Sequence, residues 1–197
     1  MIKNINIFGN GLVVIEPTIY KDDRGYFLET WNQSEYEKML NEKFNFVQEN
    51  QSYSVKGVVR GLHFQKPPYA QAKLVRVSKG VVLDVAVDIR KGSPTYGKWY
   101  GVILSDKSHK QFLIPRGFAH GFSVLSDDAV FQYKCDNVYN KESEGGINLN
   151  DPTLSIDWEV DNPIISDKDK AWGSFEDFDS PFEYNLQEIF ETHHEKD

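Results

Sequence analysis

The chain has 197 residues, a net charge of −8 from 22 Lys and Arg against 30 Asp and Glu, 40% hydrophobic residues, five His and a single Cys. That length fits one domain with a sizeable core, and one Cys excludes an intramolecular disulfide framework and every multi-Cys zinc or iron–sulfur site. An acidic chain also lacks the electrostatic footprint of a nucleic-acid binder, so an anionic ligand must be held by a few placed cations.

From the N-terminus, polar residues interrupt the apolar ones through Asn10, leaving no continuous apolar run for a signal peptide. Short apolar or alternating runs then follow at Leu12–Ile15, Gly25–Trp31, Phe46–Ser54, Val58–Gln65, Leu74–Ser78, Val81–Ile89, Lys98–Leu104, Gln111–Ile114, Ala119–Leu125 and Ala129–Cys135. They are rich in Val, Ile, Phe and Tyr, and turn residues such as Asp22-Asp23-Arg24-Gly25, Lys66-Pro67-Pro68 and Lys91-Gly92-Ser93-Pro94 separate them. Strands at this spacing predict an all-β sandwich or barrel, most simply a jelly roll. The longest apolar stretch, Val81 to Ile89, is broken by Asp84 and Asp88 and is too short to span a bilayer. The expectation is a soluble, cytoplasmic protein with no membrane partner.

Helix signals are few. Ser34 is read as the cap of a helix through Leu40, with Glu37 completing a capping box, and a second candidate runs from Asn185 to Thr192. The whole chain reads as one domain, 1–197, in which roughly 171–197 form an acidic, aromatic C-terminal tail ending in solvated residues.

Two stretches carry residues that a plain β-core would avoid. In Gly57 to Gln65, alternation places Val59, Gly61, His63 and Gln65 on one face and Arg60 and Leu62 on the other, unless a bulge intervenes. The second stretch, Ile114 to Leu125, sets His120 among small and aromatic residues. A lone His in a strand is ordinarily a core or rim imidazole satisfied by a carbonyl. Two in apolar strands, with Arg60, Lys73 and Tyr133 nearby in the pattern, point instead to a site. His109, His193 and His194 sit in polar surroundings and read as surface residues.

These stretches resemble the paired motifs of the cupin superfamily, with departures that matter. His63 holds the first position, Gln65 replaces the second His, Lys73 replaces the Glu, and Val124 replaces the final Asn after Pro115, Gly117 and His120. A protonated lysine has three donors and no lone pair, so two His and a Lys make a poor metal site. A base and a cation suit a reaction in which negative charge develops.

A more specific resemblance lies in Arg60-Gly-Leu-His63-Phe-Gln65, Gln71-Ala-Lys73, Asp84 through Gly97, Ile114 through Phe122, Tyr133-Lys134, Glu144-Gly-Gly-Ile147, Asp151 through Trp158 and Ser166-Asp-Lys168-Asp169. This ordered series, from about Gly9 to Lys170, is similar to the dTDP-4-dehydrorhamnose 3,5-epimerase family. The resemblance implies a cupin-type jelly-roll β-barrel or sandwich with a few short helices. It also implies a homodimer with exchanged N-terminal strands, a dTDP-4-keto-6-deoxyhexose substrate, and inversion at the two carbons flanking the ketone without a cofactor. In that pattern His63 is the base supported by Asp169, Lys73 stabilises the enolate oxygen and Tyr133 is the general acid. Arg24, Glu29, Gln48, Glu49, Asn50, Arg60, His120, Glu144 and Lys168 stand at binding positions.

Bland roles stand beside these. Tyr133 would serve equally as a cross-strand aromatic, and Arg24 as an exposed turn residue. The shared motifs also accommodate a mono-epimerase inverting C3 or C5 alone. A metal-dependent cupin using His63 and His120, opposed by Lys73, and a non-catalytic sugar or nucleotide binding module are the competing classes.

Overall fold

The structure is a computed structural model that describes residues 2–7 and 11–185. In chain order it forms β1 (Ile2–Ile7), β2 (Val13–Pro17), β3 (Tyr20–Asp22), β4 (Gly25–Phe27), α1 (Gln33–Leu40), β5 (Gln48–Val55), β6 (Val59–Gln65), β7 (Lys73–Lys79) and β8 (Val81–Asp88). There follow β9 (Arg90–Lys91), β10 (Trp99–Ser105), β11 (Gln111–Ile114), β12 (Phe118–Val124), β13 (Asp128–Cys135), β14 (Glu144–Gly146), α2 (Asp167–Lys170) and β15 (Phe182–Glu183). A six-stranded sheet in the order β1-β2-β11-β7-β13-β5 faces a five-stranded sheet in the order β10-β8-β12-β6-β14. The expected all-β jelly-roll sandwich with short helices is the fold this chain adopts, and the ten expected runs match β2, β4 to β8 and β10 to β13 to within a few residues at their ends.

Three apolar clusters explain why several strands read as near-continuous hydrophobic runs rather than alternating ones. Between the sheets, Val75 and Val77 of β7, Phe112 and Ile114 of β11 and Phe131 of β13 meet Val82, Phe118 and Phe122. The far side of the five-stranded sheet, with Leu62, Phe64, Val85 and Val87, is covered by Leu149, Leu154, Trp158 and Phe175 from the later chain. The far side of the six-stranded sheet, with Val13, Ile15, Leu74 and Leu113, is covered by Tyr36 of α1 and by Phe44. The central strands are therefore covered on both faces, and each fully buried Phe or Leu contributes roughly 1.5–3 kcal/mol relative to an exposed one.

The covering segments correct three expectations. Asn32, not Ser34, caps α1, accepting from the Glu35 amide, and Glu37 accepts from Gln33 and the Phe44 amide instead of closing a capping box. The first part of the expected tail is a packed strap: Phe175, Phe178 and Phe182 join the outer core, and β15 pairs in parallel with β9. His109 is buried, because the β3–β4 hairpin sets the Tyr26 ring 4.7 Å from it, and burial holds its imidazole below the ordinary histidine range. Beyond Asn185 the second expected helix, like His193 and His194, falls outside the described residues.

Candidate active site

The site begins with a break in the period of β6. Against β12, His63 pairs with His120 and Arg60 with Phe122, so Gly61 and Leu62 together oppose the single residue Gly121. Gly61 has a φ of +142°, and a Cβ there would lie 2.7 Å from the Gly121 Cα, so both conformation and space demand glycine. The bulge reverses the simple alternation: Arg60 and His63 share the interior face, while Val59, Leu62 and Phe64 join the outer core.

On that interior face lies a cavity of about 280 Å³. His63 and Gln65 of β6, Lys73 of β7, Tyr133 of β13, and Gln48 and Asn50 of β5 line it. Gln71, Tyr139 and Glu144 complete the polar lining. A larger groove of about 890 Å³ elsewhere contains none of the expected site residues, and its two arginines are committed to Asp88 and Asp136 at 2.6 and 2.9 Å.

His63 Nε2 lies 2.7 Å from Asp169 Oδ1, and Asp169 Oδ2 accepts from the Gly61 amide at 3.3 Å. The short helix α2 delivers this carboxylate, with Ser166 at its cap accepting from the Asp169 amide at 3.1 Å. Burial pushes the Asp169 carboxyl up, but its hydrogen bonds, that to His63 foremost, hold the group below its ordinary range. An ionised carboxylate can only accept, so Nε2 carries the proton and the lone pair of His63 resides on Nδ1, which has no hydrogen-bond partner among the described residues.

Lys73 projects into the cavity with its Nζ 5.8 Å from the Tyr133 ring centroid, and among the described residues it forms no ion pair or hydrogen bond. Desolvation holds its ammonium below the ordinary lysine range, against the opposing influence of Cys135, Asp84 and Glu144. Burial likewise pushes the Tyr133 phenol up, so it keeps its proton. Glu144 accepts from Lys168 at 2.5 Å and from the Tyr139 hydroxyl at 3.1 Å. Burial raises its carboxyl, and Lys168 more than reverses that, leaving it below the usual carboxylate range.

The other expected residues occupy different places. His120, buried beside His63 across the strand pair, bonds Asp84 through Nε2 at 3.0 and 3.1 Å and stacks on Phe131; it does not line the cavity. Desolvation lowers its pKa despite Asp84, so the ring is neutral. Arg60 donates to Ser54 Oγ at 3.1 Å from outside the cavity lining. Glu49 is corrected: alternation along β5 turns it to the opposite face from Gln48 and Asn50, where it pairs with Lys134 at 2.9 Å. Arg24 and Glu29 also lie away from this cavity, Arg24 gripping Asp22 at 2.6 Å in the exposed β3–β4 turn and Glu29 accepting from Asn32 at 3.2 Å.

Sequence reasoning left out Asp84, Gln71 and Tyr139. Asp84 had a signal: it sits between Val82 and Ala86 in a strand that is apolar but for Asp88 at its end, and a buried acid there requires a partner. Gln71 opens the Gln71-Ala-Lys73 motif but was given no role, and Tyr139 lies in an irregular segment without a signal.

The chain is similar to known proteins over most of its length. Residues 8–177 match the family model described as dTDP-4-dehydrorhamnose 3,5-epimerase. A protein of that description from Shigella flexneri is 53% identical over 168 residues, 85% of this chain and 93% of its own. Another from Methanothermobacter thermautotrophicus is 51% identical over 166 residues, 83% of this chain and 89% of its own. Among solved structures, a dTDP-6-deoxy-D-glucose-3,5-epimerase from Legionella pneumophila Philadelphia 1, in complex with dTDP-4-keto-L-rhamnose, superposes with a TM-score of 0.88 at 48% identity, covering 92% of this chain and 98% of that one.

Proposed function

The chain belongs to the dTDP-4-dehydrorhamnose 3,5-epimerase family, and from that premise we propose how this cavity carries out the family's reaction on dTDP-4-dehydro-6-deoxy-D-glucose, yielding dTDP-4-dehydro-L-rhamnose for dTDP-L-rhamnose synthesis. A hydrogen alpha to a ketone is removed by a base as the carbonyl oxygen takes on negative charge, and a proton returned to the other face inverts the carbon. His63 Nδ1 is the base, and Asp169 stabilises the imidazolium it becomes. Lys73 receives the enolate oxygen; an ammonium with no carboxylate within ion-pair distance among the described residues is preorganised for that charge. Tyr133, protonated and on the facing sheet, returns the proton. The observation that carries this reading is the 2.7 Å His63–Asp169 pair opening onto the same cavity as Lys73.

The donor set also weighs against a metal enzyme. Lys73 takes the place of a carboxylate ligand, and Gln65, in the place of the second His, spends its amide on backbone groups. No described helix is long and apolar enough to cross a membrane, and cytoplasmic work is the reading that fits a nucleotide-sugar substrate.

The protein works as a homodimer with exchanged N-terminal strands. Supporting this, Tyr26 and Phe27 of the β3–β4 hairpin are 57% and 65% exposed, and β5 ends its sheet as an open edge. In the single chain, β1 pairs with β2 and β2 with β11. Exchange would carry the adjoining hairpin, with Arg24 and Glu29, to the partner's cavity. The test of the reaction is NMR of the product formed from dTDP-4-keto-6-deoxyglucose. Inversion at C3 and C5 is expected; inversion at one carbon would make this a mono-epimerase, and unchanged substrate would leave a binding module.

A further inference from the structure

Three glutamines lining the cavity converge on one irregular segment, residues 137–140. Gln71 Nε2 donates to the Asn137 carbonyl at 2.8 Å, Gln65 Nε2 donates to the Val138 carbonyl at 3.1 Å, and Gln48 Oε1 accepts from the Tyr139 amide at 2.9 Å. Gln65 does most: its Nε2 also donates to the Tyr69 carbonyl at 3.0 Å, and its Oε1 accepts from the Asn140 amide at 2.7 Å. Both of its N–H bonds and its carbonyl are therefore engaged with backbone, in a buried position 6% exposed. A side chain so occupied has no donor left for a ligand.

The segment it holds bears on the site at two points. The Tyr139 hydroxyl donates to Glu144 Oε2 at 3.1 Å, and Glu144 in turn receives Lys168 at 2.5 Å. Asn140 caps the single 3-10 turn, Lys141–Ser143, that leads into β14 and Glu144 itself. Gln65 and Glu144 are register partners across β6 and β14, so the clamp and the carboxylate it aligns are fixed to the same strand pair. His63 stands two residues from Gln65 on β6, but its imidazole is oriented by Asp169 of α2, and Lys73 stands on β7.

We propose that Gln65, supported by Gln71, is a positioning residue for substrate binding: it clamps residues 137–140 so that Tyr139, Glu144 and Lys168 form a fixed wall of the cavity. This deepens the nucleotide-sugar reading of the same cavity and rests on it. A clamp on the binding wall acts on KM, because the Gln65 side chain bonds residues 137–140 and Tyr69 and touches neither the His63–Asp169 pair nor Lys73.

The test compares wild type with Gln65→Met, which keeps the length and loses all three side-chain hydrogen bonds, and Gln71→Met, which loses the single bond to Asn137. For Gln65→Met, KM for dTDP-4-keto-6-deoxyglucose is expected to rise about tenfold with kcat within about twofold, and amide exchange at Tyr139 and Asn140 to accelerate while β7 and β13 stay protected. Gln71→Met should show a smaller change of the same kind, and it carries the test if Gln65→Met does not fold. A fall in kcat at unchanged KM, or unchanged KM and exchange in the folded variants, would overturn the clamp. If the wild type fails to turn the ketosugar over, the functional reading falls, and faster or unchanged exchange at 139 and 140 still decides whether Gln65 holds the segment.

Discussion

Two histidine–aspartate pairs lie side by side across β6 and β12, and the same chemical couple has been put to different uses. His63 has 30% of its side chain exposed and meets one oxygen of Asp169, whose other oxygen is tied to the bulged backbone at Gly61. His120 is 8% exposed at the side chain and meets both oxygens of Asp84, which is wholly buried. The first pair leaves a ring nitrogen facing a polar cavity. The second is enclosed by Phe131 and the sandwich core and satisfies two buried polar groups in strands whose other side chains are mostly apolar. Access, more than the pairing itself, is what suits His63 to the proposed role of base and His120 to a structural one.

The contrast is most exposed to failure at His63. His63→Asn is expected to lower kcat by about 10²- to 10⁴-fold with an unchanged thermal midpoint, as steady-state kinetics and melting curves would show. Asp84→Ala should act in the opposite currency, lowering unfolding free energy by about 3 kcal/mol because it strands the buried His120. Urea titration measures this, and a variant as stable as wild type but inactive would exchange the roles assigned to the two pairs.

A smaller effect is expected at the bulge that orients His63. Gly61→Ala places a Cβ against Gly121 at a φ of +142°, which should cost about 1–3 kcal/mol and reduce turnover by displacing the imidazole. Wild-type stability with full activity would show that the bulge does not set the site. The least effect is pH-linked. His120 has a folded pKa below the ordinary 6.5, so the unfolded chain takes up this proton first and stability declines as pH falls from about 6.5 toward the folded value. His120→Gln should remove that part of the slope in denaturation series between pH 7 and 5, and equal slopes would mean that His120 titrates alike in both states.

Much of this arrangement could be read from the chain alone because long strands carry strong signals. Runs such as Val81–Ile89 and Ala129–Cys135 combine β-branched and aromatic residues with turn chemistry at their ends, so β8 and β13 fall where expected. Apart from β1 and α2, the elements without a sequence signal are two or three residues long, like β9, β14 and β15, and have no room for a period. His63, Lys73 and Tyr133 were legible as polar intrusions in such strands. The bulge was named as a condition, but its effect on Arg60 came from tertiary register. Glu49 was misplaced although period-two alternation separates it from Gln48 and Asn50. The burial of His109 under Tyr26 depended on a hairpin contact between residues far apart in sequence, which no local pattern encodes.

The central claim is that the cavity exchanges protons at the carbons beside a ketone, with His63 taking them. It is tested most directly by incubating dTDP-4-keto-6-deoxyglucose in heavy water with wild type, His63→Asn and His120→Gln. Deuterium entering C3 and C5 with wild type, still entering with His120→Gln, and absent with His63→Asn is the predicted result. Label entering at the wild-type rate with His63→Asn would contradict it.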